Sequence, residues 1–214
     1  MSYVRVSILG TTVGGEKWSV NPVFDPTGEF PGGVSQSALD AATLAIANIT
    51  VPTNLLTLMS TALSITGARS EVRDDSTDEL IGLSEQGRPA PLAGVGTIRM
   101  GAQNAVVCSL RTDTPGARGR GRIYWPALGA TLGTNLRLSA PTNAATVNSF
   151  AIYFNAMRTA LAAAFPTIGF DLAVRSRTAH TTPHVNRIQV GDVIDTQRRR
   201  RDTFVESYAV ATFP

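Results

Sequence analysis

The chain has 214 residues, of which 43% are hydrophobic and 16% charged, and its net charge is +3. Enough apolar residues are present to bury a core, which excludes a disordered chain, and the length predicts a single domain over residues 1–214. The charged fraction is well below the usual ~25%, as is typical of a protein whose surface is covered by neighbouring subunits.

The first half of the chain predicts strands and two helices. Val4, Val6 and Ile8 alternate with polar residues, which indicates a half-buried strand. Farther on, apolar residues recur at helical spacing, and Ser37 and Asp40 form a capping pattern at the start. The predicted elements are strands over residues 2–12, 16–25 and 63–75 and helices over residues 35–49 and 53–63.

Two neighbouring segments in the middle of the chain have opposite character. Residues 74–101 are acidic at first and then rich in glycine and proline, which predicts a long loop that leaves the core. Residues 104–112 are apolar on both faces, which predicts a strand at the centre of a sheet. This strand contains Cys108, the single cysteine, so intrachain disulfides and cysteine-based metal sites are excluded.

The second half predicts one long helix followed by strands. Apolar residues recur at helical spacing over residues 143–164, and Thr142 or Asn143 supplies the N-cap. Strands are predicted over residues 170–178, 185–194 and 203–214. This order indicates an α+β fold in which two main helices pack on one face of an antiparallel sheet. The alternative is an all-β jelly roll with helical insertions, against which the length and capping of the long helix argue.

Catalytic and metal-binding patterns are nearly absent from the sequence. The two histidines, His180 and His184, flank Pro183, so a regular helix cannot place them one turn apart. The acidic residues near position 75 lack the spacing and the glycine of a calcium loop. No nucleophile elbow, phosphate-binding loop or strand-linked dinucleotide fingerprint occurs. We therefore predict no enzymatic activity, no cofactor and no metal.

The basic residues are the strongest chemical signal. Eighteen of the 19 are arginine, whose planar guanidinium group matches phosphate and carboxylate groups. Residues 1–100 have a net charge of −4, and residues 101–214 have a net charge of +7. This difference indicates a basic surface that meets nucleic acid or an acidic partner. A GC-rich genome, which favours arginine codons, explains the choice of arginine over lysine equally well.

Two groups of arginines are candidate contact sites. The first is Arg111, Arg118, Arg120 and Arg122, with Tyr124 and Trp125 beside them. Here glycines let the backbone approach a phosphate, arginines two apart in an extended chain point the same way, and aromatic rings can stack on bases. The second is the run Arg198, Arg199, Arg200 and Arg201 between two predicted strands, which makes it a fixed ridge rather than a tail. Contact with nucleic acid, pairing with carboxylates of a neighbouring subunit and simple solvation remain open for both groups.

The same two regions resemble the structural (capsid) proteins of small single-stranded DNA and RNA viruses found in environmental surveys. Those proteins have a strand that ends in Leu-Arg-Thr, then an arginine–glycine segment with an aromatic residue and a proline, and an Asp-Thr/Ser-Gln-Arg-Arg-Arg element near the C-terminus. The matching residues here are Leu110, Arg111, Thr112, Arg120, Gly121, Arg122, Tyr124, Pro126, Asp195, Thr196, Gln197, Arg198, Arg199 and Arg200. The chain departs from the pattern at Ala127, where glycine is common, and by the additional Arg201.

The resemblance covers half of the chain and implies a viral coat protein. Such a protein assembles with copies of itself into a shell around genomic RNA or single-stranded DNA, after synthesis in the cytoplasm or nucleus of a host cell, and ends in the virion. No secretory signal and no apolar run of about 18 residues occur, so we expect no membrane partner. The alternative is a nucleic-acid-binding module that stays monomeric or dimeric. Because a strand is predicted from residue 2, the arginines would act from ordered segments.

Overall fold

The computed structural model describes residues 2–24, 34–99, 105–111, 120–129, 140–164, 170–177, 193–194, 200–201 and 211–213. These residues confirm an α+β fold with an antiparallel sheet. Their strands divide among a five-stranded sheet from the first half of the chain, a four-stranded sheet from the second half and a two-stranded ribbon.

The five-stranded sheet is built around its first strand. Its members are β1 (Ser2–Thr12), β2 (Lys17–Val20), β3 (Val23–Phe24), β4 (Leu63–Asp74) and β5 (Leu80–Ala93). β4 runs antiparallel to β1 along its whole length, β5 follows β4, and both β2 and β3 pair with β1. Val4, Val6 and Ile8 are buried, as their alternation predicts.

The four-stranded sheet is formed by β6 (Ala105–Arg111), β7 (Arg120–Pro126), β8 (Phe170–Arg177) and β11 (Ala211–Phe213). Its order is β11-β8-β6-β7, and every neighbouring pair is antiparallel. β6 is paired on both sides, which confirms the central strand predicted for residues 104–112. The ribbon consists of β9 (Val193–Ile194) and β10 (Arg200–Arg201).

Three helices pack against these sheets: α1 (Gln36–Ala47), α2 (Thr53–Leu58) and α3 (Ala140–Leu161). α1 packs on β4 and β5, whereas α3 packs on α1 and α2 and contacts β8 and β11. The C-terminus of α1 is held by Arg88 of β5, whose NH1 lies 2.5 Å from the Ala47 oxygen and 3.2 Å from the Ile49 oxygen. A guanidinium group at this end satisfies free carbonyls and interacts favourably with the helix dipole.

An aromatic cluster around Trp125 joins β7 to the helices. The fully buried Trp125 ring makes edge-on contacts with Phe150 and Tyr153, with centroid distances of 5.6 and 5.7 Å. Phe150 in turn stacks on Phe154 at 5.9 Å. Trp125 Nε1 donates a hydrogen bond of 3.3 Å to the carbonyl of Leu55 in α2. The cluster therefore fixes which side of β7 faces the core.

Glycines allow the chain beyond β7 to approach the end of α2 closely. The amide of Gly129 donates to the Leu58 carbonyl, and that of Gly96 donates to the Met59 carbonyl, both at 2.8 Å. A Cβ at Gly96 would lie 2.2 Å from the Thr57 oxygen, a distance that no side chain tolerates. Glycine is therefore required where these backbones meet.

Three expectations about the elements need correction. Residues 80–93, expected within a long loop, form β5, which is joined to β4 by a short turn in a β-hairpin. The prolines of this segment are compatible with a strand because it lies at the sheet edge. α3 begins at Ala140, so Thr142 and Asn143 lie inside the helix and do not cap it. The strands also belong to more than one sheet, which the order of elements did not predict.

Candidate nucleic-acid interface

β7 has one buried face and one exposed face. Ile123 and Trp125 are buried, whereas Tyr124 between them is 43% exposed. Residues directly opposite each other in neighbouring strands lie on the same face of a sheet. Tyr124 therefore lies on the face of the sheet opposite to the buried Trp125.

The strand register places arginines on the face of Tyr124. In its row, Val107 of β6 lies opposite both Tyr124 of β7 and Arg175 of β8. The rows on either side, two residues away along each strand, contain Arg122 and Arg177. Three arginine positions therefore share the face of one exposed aromatic residue, Arg122 on the same strand and Arg175 and Arg177 two strands away, beyond β6. Neighbouring rows on one face are about 7 Å apart.

A fourth arginine and one acid occupy the end of the same face. Arg111, two residues beyond the row of Arg122 along β6, lies opposite Asp171 of β8. In the rows from Ala105 to Arg111, four arginines thus accompany one aspartate, which gives this face a net charge of +3. We call these residues the basic face: Arg111, Arg122, Tyr124, Asp171, Arg175 and Arg177.

The composition of the basic face fits a single-stranded polyanion. Guanidinium groups donate paired hydrogen bonds to phosphate oxygens, and a tyrosine ring offers a surface on which a base of any sequence can stack. A sheet face with both kinds of residue can follow an extended strand of RNA or DNA. Carboxylates of a neighbouring subunit would pair with guanidinium groups in the same way but would make no use of the aromatic ring as a stacking surface.

Three of the residues predicted from the sequence meet on the basic face: Arg111, Arg122 and Tyr124. Trp125 does not, because its ring is fully buried against Phe150 and Tyr153. Adjacent residues of a strand point to opposite faces, so only one of two consecutive aromatic residues is exposed. Trp125 is therefore a core residue, and the contact role predicted for it is corrected.

The remaining predicted arginines lie elsewhere or outside the described residues. Arg120 is opposite Leu110 across a register shift, so the rule that residues two apart point the same way does not relate Arg120 to Arg122. Arg200 and Arg201 form β10, opposite the two residues of β9, so the end of the four-arginine run is ordered by pairing. Arg118, Arg198 and Arg199 are outside the described residues, as is the histidine pair at positions 180 and 184.

Arg175 and Arg177 are the arginines of the basic face that sequence reasoning missed, together with Asp171. Their signal is the alternation of the two arginines with Val174 and Ser176, which is typical of a strand with one polar face. The two arginines share a face with Tyr124 because of the strand order β8-β6-β7. That order is set by pairing between segments far apart in the chain, which local patterns do not reveal.

The five-stranded sheet carries a second group of arginines, and these are paired with acids. Arg69 NH2 lies 2.8 Å from Glu71 Oε1, and Arg73 Nε lies 2.8 Å from Glu71 Oε2. Arg5 NH1 lies 3.7 Å from the same Oε2 atom. Glu71 is only 7% exposed, so three guanidinium groups surround a nearly buried carboxylate. We call this group, with Tyr3 and Asp78, the Glu71 cluster.

The second acid of the Glu71 cluster connects it to the β4–β5 turn. The Tyr3 hydroxyl donates to Asp78 Oδ1, and Arg73 NH1 donates to the Asp78 main-chain oxygen at 2.8 Å. Burial, together with the hydrogen bond to Asp78, raises the pKa of Tyr3 above its ordinary value. The hydrogen bond to Glu71 raises the pKa of Arg73. Each charge in the cluster thus has an opposite charge or a hydrogen-bond partner, as a structural network requires.

No protein-family model, curated protein or solved structure matches this chain. Across the described parts of the chain, no three His, Cys, Asp or Glu residues come together as a group that could hold a metal ion. Of the helices described, none is both long enough and apolar enough to span a membrane. The chemistry of the basic face carries the functional proposal.

Proposed function

We propose that this chain is the coat protein of a small virus, and that its basic face holds genomic RNA or single-stranded DNA inside the shell. The observation that carries this is the register of the four-stranded sheet, which places four arginines and one aspartate on the same face as the exposed Tyr124. The arginines come from three different strands, so folding rather than local sequence concentrates the charge. The virion is then the place where the protein functions.

Self-assembly is supported by composition and by the resemblance described above. Only 16% of the residues are charged, and a free soluble protein normally exposes more charge than this. Several large apolar side chains are also exposed, including Leu80, Ile81 and Leu83 on β5. Exposed apolar residues that are close together are typical of surfaces that associate.

We also propose that α1 and α3 cover one common side of the folded subunit. α1 packs on β4 and β5, and α3 packs on α1 while it contacts β8 and β11. The Glu71 cluster and the basic face then belong to sheet faces that the helices leave open. In a shell, one such face is available to the genome while others contact neighbouring subunits.

A nucleic-acid-binding module that stays monomeric or dimeric is the second candidate, and the same basic face supports it. The two candidates differ in particle size. We expect the purified protein to form large particles visible by negative-stain microscopy and light scattering. A clean monomer at moderate salt and high protein concentration would contradict the coat-protein proposal and leave the binding module.

Nucleic-acid binding is tested by salt dependence with a matched pair of triple variants. Replacing Arg122, Arg175 and Arg177 by glutamine removes up to three phosphate contacts. The slope of log K against log salt for a single-stranded oligonucleotide then falls by about 2, since each contact contributes roughly 0.7. The control replaces Lys17, Arg99 and Arg158, which lie outside the four-stranded sheet, and removes the same formal charge.

The two triple variants separate a specific face from general basicity. If both lower the slope equally, binding follows net charge alone and the basic face is not the site. If neither changes it, the arginines of the face serve another purpose, such as pairing with carboxylates of a neighbour. Glutamine substitutions in the run from Arg198 to Arg201, measured in the same way, determine whether that second group adds phosphate contacts.

A further inference from the structure

The two edges of the five-stranded sheet differ strongly. On one side, β1 is covered by β2 and β3, which have only four and two residues. On the other side lies β5, with 14 residues. Among the described residues β5 is paired along one side only, with β4. A long strand with one unpaired side presents main-chain groups that can pair with another strand.

Only part of β5 is protected against such pairing. Its second half contains Pro89 and Pro91, and its register to β4 breaks between Gly87 and Leu92. Proline and irregular register are common means of blocking an edge. The register to β4 also shifts between Leu80 and Gly82, so residues 82–87 form the regular open stretch. This stretch contains no proline and no lysine, and Leu83 within it is 40% exposed, next to Leu80 and Ile81 at 42% and 44%.

We infer that β5 pairs antiparallel with β5 of a second copy of this chain, joining two five-stranded sheets across a two-fold axis. This inference rests on the proposed self-assembly and names the surface through which two copies make contact. Residues 82–87 are about as long as an ordinary strand. The main-chain groups along this open edge would then bond to their own symmetry mates, as in other isologous contacts.

The chemistry of β5 favours a copy of itself as the partner. The strand contains one acid and one base, Glu85 and Arg88, so two copies do not repel each other. An antiparallel arrangement centred between Ser84 and Glu85 pairs residues 82–87 of the two copies along their whole length and places Leu83 of each copy opposite Gln86 of the other, next to the axis. In the single subunit, Gln36 Nε2 donates a hydrogen bond of 2.9 Å to the Leu83 carbonyl. Main-chain hydrogen bonds between the two β5 strands would replace this one bond.

The test compares two double variants that add the same charge. Ile81→Lys with Leu83→Lys places four lysines around the proposed two-fold axis. Val13→Lys with Ile152→Lys changes two exposed apolar residues outside β5, in the β1–β2 turn and on α3. We expect the first pair to weaken self-association on the order of a hundredfold by light scattering, and the control pair to change it little.

Hydrogen exchange of the wild-type chain tests the same contact without a substitution. The amides of residues 82–87 gain protection as protein concentration rises through the association range, whereas amides in the β1–β2 turn do not. If the wild type associates but these amides stay unprotected, or if the β5 lysine variant associates as the wild type does, the β5 contact is wrong and the coat-protein proposal stands. A wild type that is monomeric at every concentration overturns both.

Discussion

Two sheet faces of this protein carry arginines, and the fold surrounds them differently. In the Glu71 cluster, Arg5, Arg69 and Arg73 are held by two acids, with bonds as short as 2.8 Å. On the basic face, four arginines share the described rows with Asp171 alone. The same residue type therefore forms an ion-pair network on one sheet, whereas on the other its positions outnumber the acids of the same rows by four to one.

The acids beside an arginine determine its role, and the sheet register determines which acids lie beside it. The first half of the chain has a net charge of −4 and the second half +7. The five-stranded sheet comes from the first half, and the basic face comes from the second. The Glu71 cluster, with three arginines and two acids, has a net charge of +1 against +3 on the basic face, a difference that substitutions can test.

The largest expected effect separates Trp125 from its neighbour Tyr124. Trp125→Ala empties a fully buried site between Phe150 and Tyr153, so we expect a loss of about 3–5 kcal/mol in the free energy of unfolding. Tyr124→Ala, on the exposed face, changes it by about 0.5 kcal/mol or less. Urea unfolding measures both. Equal losses would contradict the assignment of the two faces of β7.

The next effect tests the ion pairs of the Glu71 cluster. Glu71→Gln leaves three guanidinium groups around a neutral side chain. Breaking a buried ion pair costs about 3–5 kcal/mol. Since the arginines here are partly exposed and screened by water, we expect about 2 kcal/mol.

The matched control comes from the basic face. The triple replacement of Arg122, Arg175 and Arg177 by glutamine removes more charge than Glu71→Gln does. We nevertheless expect it to leave the free energy of unfolding within about 0.5 kcal/mol of the wild type, because substitutions on a surface away from a network are nearly neutral. A stable Glu71→Gln variant beside an unstable triple variant would reverse the roles assigned to the two faces.

The third effect concerns binding and not stability. Stacking of a base on an aromatic ring contributes about 1–3 kcal/mol, so Tyr124→Ala should weaken binding of a single-stranded oligonucleotide by about tenfold or more. Tyr124→Phe keeps the ring and should bind as the wild type does. If Tyr124→Phe binds as weakly as Tyr124→Ala, the hydroxyl rather than the ring makes the contact.

Local patterns predicted much of the fold and part of the site. The alternation of Val4, Val6 and Ile8 and the apolar segment of β6 were sufficient to identify their strands. β5 was not identified, because glycines and prolines interrupt its pattern and only pairing with β4 makes it a strand. Likewise, Arg122 and Tyr124 were predicted, but Arg175 reaches their face only through the non-local order of the strands.

The smallest effect tests the turn that carries Asp78, and with it one edge of the Glu71 cluster. The Asp74 carboxylate accepts hydrogen bonds from the Ser76 hydroxyl, the Thr77 amide and the Ser76 amide. These bonds hold the pKa of Asp74 well below its ordinary value of 3.8. Asp74→Asn keeps an acceptor oxygen but removes the charge that strengthens the bonds.

The pH dependence of this variant has a defined sign. Because the pKa of Asp74 is lowered by folding, its stabilising contribution is fully present above pH 3.8 and is lost as pH falls below that value. The difference in unfolding free energy between wild type and Asp74→Asn should therefore be largest near pH 5 and shrink toward pH 2, as measured by urea unfolding at each pH. A constant difference would mean that the turn does not depend on this charge. The acids of the Glu71 cluster are the same in both proteins, so a difference that shrinks in this range belongs to Asp74.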